Sequence, residues 1–130
     1  MKLTAALAEI HNPAGGQRAQ VETIGGKTNI GYWLDARTWI EWKFKIVKPG
    51  TFDVMADIAC PAGDGKFEIK LGDDKWQVTP QNTGTYQSFK TYRIGKAEIA
   101  EAGVHSLEIR PVRTSWKPMN IRSVALSPAE

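Results

Sequence analysis

A period of two runs through most of this chain, and it restricts the fold more than any other feature. In "WIEWKFKIV" (39–47), Ile40, Trp42, Phe44 and Ile46 alternate with Glu41, Lys43 and Lys45. Successive side chains of a strand point to opposite faces, so this segment is extended, apolar on one side and charged on the other. "TFDVMADIAC" (51–60) alternates likewise, and the intervening "KPG" supplies the proline and glycine of a hairpin turn. "GKFEIKLG" (65–72), "SFKTYRIG" (88–95), "VHSLEIRPV" (104–112) and "NIRSVALSP" (120–128) continue the pattern. "ALAEIH" and "AQVETI" add two weaker strands, and turn signals such as "NPAGG", "IGGK", "PAGDG" and "NTGT" separate the segments. Only "IGKAEIAEAG" (94–103) has a spacing compatible with a helix, and it is short. About eight strands with no crossover helix predict an all-β fold, an antiparallel β-sandwich. The 130 residues suffice for one such domain over 1–130, and neither a repeat nor a linker divides it.

Composition removes several function classes. Hydrophobic content of 42% and charged content of 24% are globular values. No apolar run approaches the roughly 20 residues of a membrane helix, so no membrane partner is expected. The apolar part of "MKLTAALAEIHN" is broken by Glu9 and is too brief for a secretory signal, so the chain reads as mature, cytosolic or a module of a longer protein. Cys60 is the only cysteine and shares the parity of Phe52, Val54, Ala56 and Ile58, which predicts a buried, inert thiol. A net charge of +3 suits an acidic partner without demanding one.

Signals of catalysis are sparse. His11 and His105 have no metal-ligand spacing to each other or to Cys60, and His105 shares the parity of Leu107 and Ile109. "GGKTNIG" lacks the spacing of a phosphate-binding loop and reads as a turn. Glu41, Asp53 and Asp57 fall on the solvated parity of their strands, whereas a glycosidase needs two acids facing each other. The expectation is a protein that is not an enzyme. Nucleic acid is not an expected partner either, because stacking rings interleaved with lysines on strands are missing and the candidate rings fall on loops.

The aromatic residues divide into two groups. Trp42 and Phe44 take the core parity, Trp39 is structural, and Trp76 in "DDKWQVT" is read as core. Tyr32 and Trp33 precede the loop "LDAR", where an exposed ring has no core to fill; Tyr86 lies in the turn "TGTY". Trp116, in "VRTSWKPMN", is loop-borne just before Asn120 and is a candidate third platform. Arg37, Arg113 and Lys117 flank these loops, either as solvated surface or as forks for a carboxylate or sulfate on a sugar. Lys43, Lys45 and Lys48 read as solubility and edge protection.

Taken in order, "LAEIHN", "KTNIGYWLDARTWIEWKFKIVKPGTFDVMADIAC", "TGTYQSFKTYRIGKAEIAEAGVHSLEIRP" and "MNIRSVALSP" resemble galactose-binding-like jelly-roll modules. The resemblance is to carbohydrate-binding modules of families 6 and 35, and to the related C-terminal sandwich of bacterial α-L-fucosidases and some sulfatases. The marks are "W-x-E-W", the "PG-T-F-x-V" hairpin, "TG" before an aromatic and "AG-V-H-S-L-E-I", spread from about Leu3 to Pro128. The resemblance implies an apical loop cleft with two rings and an asparagine: Trp33 or Tyr32, Tyr86, and Asn120. A pyranose stacks its C–H face on a flat ring, while an amide both donates to and accepts from hydroxyls. It also implies one structural calcium ion as the sole cofactor, held by Glu9 and Glu22 (or Gln20); the tail "VALSPAE" offers no aspartate as a third acid. The implied function is binding of a polysaccharide or oligosaccharide, neutral or anionic. The implied setting is a module tethered to a catalytic domain in a larger secreted or periplasmic bacterial protein. The alternative is a structural accessory domain that packs on a fucosidase- or sulfatase-like domain and binds no sugar.

Overall fold

The computed structural model describes residues 1–129 and is built almost wholly of strands. They are β1 (Lys2–Thr4), β2 (Glu9–His11), β3 (Gln20–Ile24), β4 (Lys27–Gly31), β5 (Trp39–Ile46), β6 (Gly50–Ala59), β7 (Phe67–Leu71), β8 (Asp74–Val78), β9 (Lys90–Ile99), β10 (Gly103–Pro111) and β11 (Asn120–Pro128). A 3-10 turn, Ala5–Leu7, joins β1 to β2. One sheet has the order β3-β4-β11-β6-β9, with β1 also pairing β11; the other has the order β2-β5-β10-β7-β8. Pairing is antiparallel in both sheets. The antiparallel β-sandwich expected from the alternation is the fold observed.

The inward parities of the two sheets form one hydrophobic cluster. Ile40, Trp42, Ile69, Leu107 and Ile109 come from one sheet, and Val54, Ile58, Ile121, Val124 and Leu126 from the other; each is almost fully buried. A fully buried aliphatic or aromatic side chain contributes about 1.5–3 kcal/mol, so this interleaved layer dominates stability. Cys60 is buried within it, as its parity predicts. Trp76 is half-buried against the core, and its indole lies over Gly95 of β9, where a Cβ would come within 2.5 Å of Nε1. The glycine thus lets β8 of one sheet close onto β9 of the other.

Two segments depart from the sequence reading. "IGKAEIAEAG" is not helical: residues 94–99 are the second half of β9. The register of β9 on β6 slips between Val54 and Met55, which pair with Gly95 and Arg93 and leave Ile94 extra. A bulge of this kind moves the buried parity from even to odd positions, and the broken alternation imitates a helical spacing. "KTNIG" is likewise not a turn but β4; the turn is confined to Gly25 and Gly26, both at positive φ. Its alternation is hidden because Asn29 is buried, paired in register with Glu22 and hydrogen-bonded to its carboxylate.

Candidate functional site

At one end of the sandwich, four separate segments enclose a cleft of about 300 Å³. Glu22 and Ile24 come from β3, Tyr32 to Leu34 from the chain leaving β4, Tyr86 and Gln87 from the loop before β9, and Pro118 and Asn120 from the entry to β11.

The cleft contains a carboxylate–amide pair. Glu22 Oε1 accepts from Asn29 Nδ2 at 2.9 Å, and Asn120 Nδ2 approaches the same oxygen at 3.5 Å. Asn120 Nδ2 also donates to the Tyr86 carbonyl at 2.9 Å. With acceptors on both sides of this nitrogen, the orientation of the amide is determined and Oδ1 faces away from them. Gly31 makes room for the carboxylate, since a Cβ there would lie 2.5 Å from Glu22 Oε1.

Above these groups stand two exposed rings. Tyr32 is 52% exposed and has φ 57, a left-handed conformation rare for a residue with a ring. That backbone twist directs the ring out of the sheet immediately after three buried residues, Asn29 to Gly31. Tyr86 is 43% exposed at the tip of a loop built from local turns. Asn82 Oδ1 accepts from Gly84 N, and Thr85 Oγ1 accepts from the amides of Gln87 and Ser88. The loop is tied to the end of β6, where Thr83 N donates to Cys60 O and Cys60 N donates to Thr83 Oγ1. Ile24 and Leu34, also exposed, complete an apolar rim.

The remaining expected site residues take other roles. Trp33 lines the cleft but is 1% exposed, so it is not a free platform. Its Nε1 donates to Thr38 O, and its ring lies 4.9 Å from that of Trp116. Trp116 in turn donates from Nε1 to Trp33 O and is absent from the cleft lining. The two indoles wedge the loops after β4 and before β11 together; the third platform expected at Trp116 is a structural strut. Arg37 also lies outside the cleft lining, clamped to Asp35 by two bonds of 2.7 and 3.0 Å. That clamp and the Arg37 amide hold the Asp35 carboxyl down at about 2. Sequence reasoning proposed Glu22 only as a metal ligand, and its place beside Asn120 was missed; the buried Asn29 opposite it was the available signal.

Glu9 and Glu22, matched to a calcium site, have different neighbours: Glu9 lies beside His11 and Glu41, and Glu22 beside Asn29 and Asn120. Glu9 is on β2 and Glu22 on β3, in different sheets. The donors of Glu9, His11 and Glu41 instead lie within 4.8 Å of one another, with His11 Nε2 at 2.8 Å from Glu41 Oε1. Calcium takes six to eight oxygen ligands, and a ring nitrogen with two carboxylates does not fit that cage. His11 also stacks on Trp39, with centroids 4.0 Å apart. Gln20, the alternative to Glu22, is exposed on β3.

A family model described as "Domain of unknown function (DUF5077)" matches residues 15–129. The chain belongs to this family. No curated protein matches it. Among solved structures it is similar to the C-terminal family 6 carbohydrate-binding module of LamC, a laminarinase of Zobellia galactanivorans, with 18% identity, TM-score 0.76 and 98% of both chains covered. It is also similar to the carbohydrate-binding module CBM6cm-2 from Cellvibrio mixtus lichenase 5A, whose structure holds cellotriose: 20% identity, TM-score 0.71, 100% of this chain and 98% of that one. A third similar structure is a Podospora anserina GH26-CBM35 β-(1,4)-mannanase, with 18% identity and TM-score 0.76, over all of this chain and 28% of that one. The fold of this DUF5077 chain is therefore that of family 6 and family 35 carbohydrate-binding modules, as the sequence resemblance implied.

Proposed function

We propose that this chain is a non-catalytic carbohydrate-binding module that holds a sugar in the apical cleft. The observation that carries the reading is the placing of Tyr32 and Tyr86, both exposed, around a cleft lined by the Glu22 carboxylate and the Asn120 amide. The rings supply the C–H stacking surface, worth about 0.5–1.5 kcal/mol each beyond area burial. Glu22 accepts from sugar hydroxyls, and Asn120 Oδ1 adds a second acceptor. Glu22 is the one carboxylate among the lining residues, so the cleft lacks the acid pair of a glycosidase and suits binding without hydrolysis. Tethering to a larger glycan-active protein is part of the proposal; the mannanase, where the matching module is about a quarter of the chain, supports it.

An accessory domain that binds no sugar would bury an apolar patch away from the cleft. Here four of the exposed apolar residues, Ile24, Tyr32, Leu34 and Tyr86, rim the cleft itself, Val47 and Val104 lie among Lys43, Lys45 and Lys48, and Met1, Leu7 and Val21 are exposed outside the cleft lining. The test is an affinity-gel and glycan-array screen of the unaltered chain beside Tyr32→Ala and Tyr86→Ala. Retention on at least one neutral glycan, lost in both folded variants, is the expected result. Retention on no neutral glycan would overturn the reading in favour of the accessory domain.

A further inference from the structure

On the larger sheet, beside a groove that shares no lining residue with the apical cleft, β1 and β4 both pair with the same edge of β11. β1 takes Ser123 to Ala125 and β4 takes Ile121, so the two strands meet end to end at Arg122. At that residue β11 bulges: Ile121 pairs with Ile58 and Ser123 with Asp57, leaving Arg122 unpaired with β6. A bulge re-aims the side chain of its extra residue. Here the Arg122 guanidinium lies 3.7 Å above the Phe89 ring.

Among the described residues, Arg122 Nε is the one buried side-chain polar atom lacking a hydrogen-bond partner. Buried polar groups are nearly always satisfied, and an unsatisfied arginine donor beside a groove marks a place for an acceptor from outside. The groove beside it, about 370 Å³, brings together Lys2, Lys27 and Arg122 with the hydroxyl-bearing Thr4, Thr28 and Ser123. None of the three cations has a carboxylate within 4.0 Å among the described residues. Asp57 also lines the groove and opposes them, leaving two net positive charges.

We propose that this seam is a binding site for an oxyanion, and that the oxyanion is the sulfate ester or uronate carboxylate of an anionic glycan. Lysines, an arginine supported on a ring face and threonine and serine hydroxyls are the donors such a group requires. That a glycan carries the anion rests on the reading of the apical cleft; that the seam takes an oxyanion does not.

Calorimetric titration with dextran sulfate, dextran, polygalacturonate oligomers and single-stranded DNA tests both parts. Dextran sulfate or polygalacturonate is expected to bind and dextran to fail, and the stronger polyanion identifies the group. Arg122→Gln and the exposed pair Lys2→Gln/Lys27→Gln are each expected to weaken binding about tenfold, and Asp57→Asn to strengthen it a few-fold. Tyr86→Ala, which disables only the apical cleft, should leave it unchanged. Equal weakening by Lys45→Gln/Lys48→Gln would show general charge attraction and overturn the site, as would binding to neither polyanion. DNA bound as tightly as both would overturn the glycan assignment. Apical failure with seam binding intact would overturn the cleft reading alone.

Discussion

Tyr32 and Tyr86 at the apical cleft and Trp39 on the face of the smaller sheet all stand on the outer side of the sandwich, yet only the tyrosines have free ring faces. Trp39 is flanked in register by His11 of β2 and lies beneath Arg110 of β10, whose Cζ is 3.7 Å from the indole centroid. His11 stacks at 4.0 Å and 14°, and two groups this close must occupy opposite faces of the ring. Each cover is itself pinned, His11 by Glu41 at 2.8 Å and Arg110 by Glu108 at 2.8 Å. What distinguishes a platform from a strut is whether a neighbour already occupies the π face. The apical rings remain open because a left-handed residue and a turn tip carry them beyond cross-strand reach.

The largest effect expected from this contrast is on stability. Trp33→Ala removes a buried indole, its bond to Thr38 O and its contact with Trp116, and should cost about 3–5 kcal/mol. Tyr32→Ala, one residue away, should stay within about 0.5 kcal/mol. Urea unfolding midpoints check the pair, and similar values for both would erase the division between strut and platform. Next comes binding: Tyr86→Ala should weaken glycan binding about tenfold and Trp39→Ala should not change it, read by calorimetry. Tyr32→Gly sharpens the comparison within one residue, since it removes the ring and also relaxes φ 57. It should raise stability by about 1 kcal/mol while lowering affinity, and a loss of both would remove strain from the account.

Smaller effects follow at the covers. Arg110→Ala should uncover Trp39, increasing fluorescence quenching by acrylamide at a stability cost of about 1 kcal/mol or less. Smallest is Arg37→Ala, which should return the Asp35 carboxyl from about 2 toward the ordinary value near 3.8 and leave glycan binding intact. Because the folded value is depressed, the clamp's contribution is present above the unfolded value and is lost as pH falls from about 4 to about 2. Carbon-detected carboxylate titration measures that shift.

Much of the sandwich was legible because alternation reports burial directly: Ile40, Trp42 and Phe44, or Val54, Ala56 and Ile58, name their face by position alone. Legibility failed where the ladder did. The bulge at Ile94 shifted parity and made a strand look helical, and the Glu22–Asn29 pair put polar residues where a strand reading wants apolar ones. At the cleft, residue types near glycines pointed to Tyr32, Tyr86 and Asn120, all of which the structure assembles there. Trp33 and Trp116 were read as open rings, whereas their burial depends on each other, 83 residues apart, and no local pattern encodes that contact.

The same separation bears on how the cleft responds to occupancy. Glu22 and Asn120 are 98 residues apart, and Tyr86 is 34 from Asn120, so no fragment of the chain can present the cleft. A ligand seated there recognises the completed topology and has nothing to hold on an unfolded chain. By mass action, a ligand at one hundred times its dissociation constant adds about 2.7 kcal/mol to the stability of the entire sandwich. The melting temperature of the whole molecule thus becomes a gauge of what fills the cleft at one end.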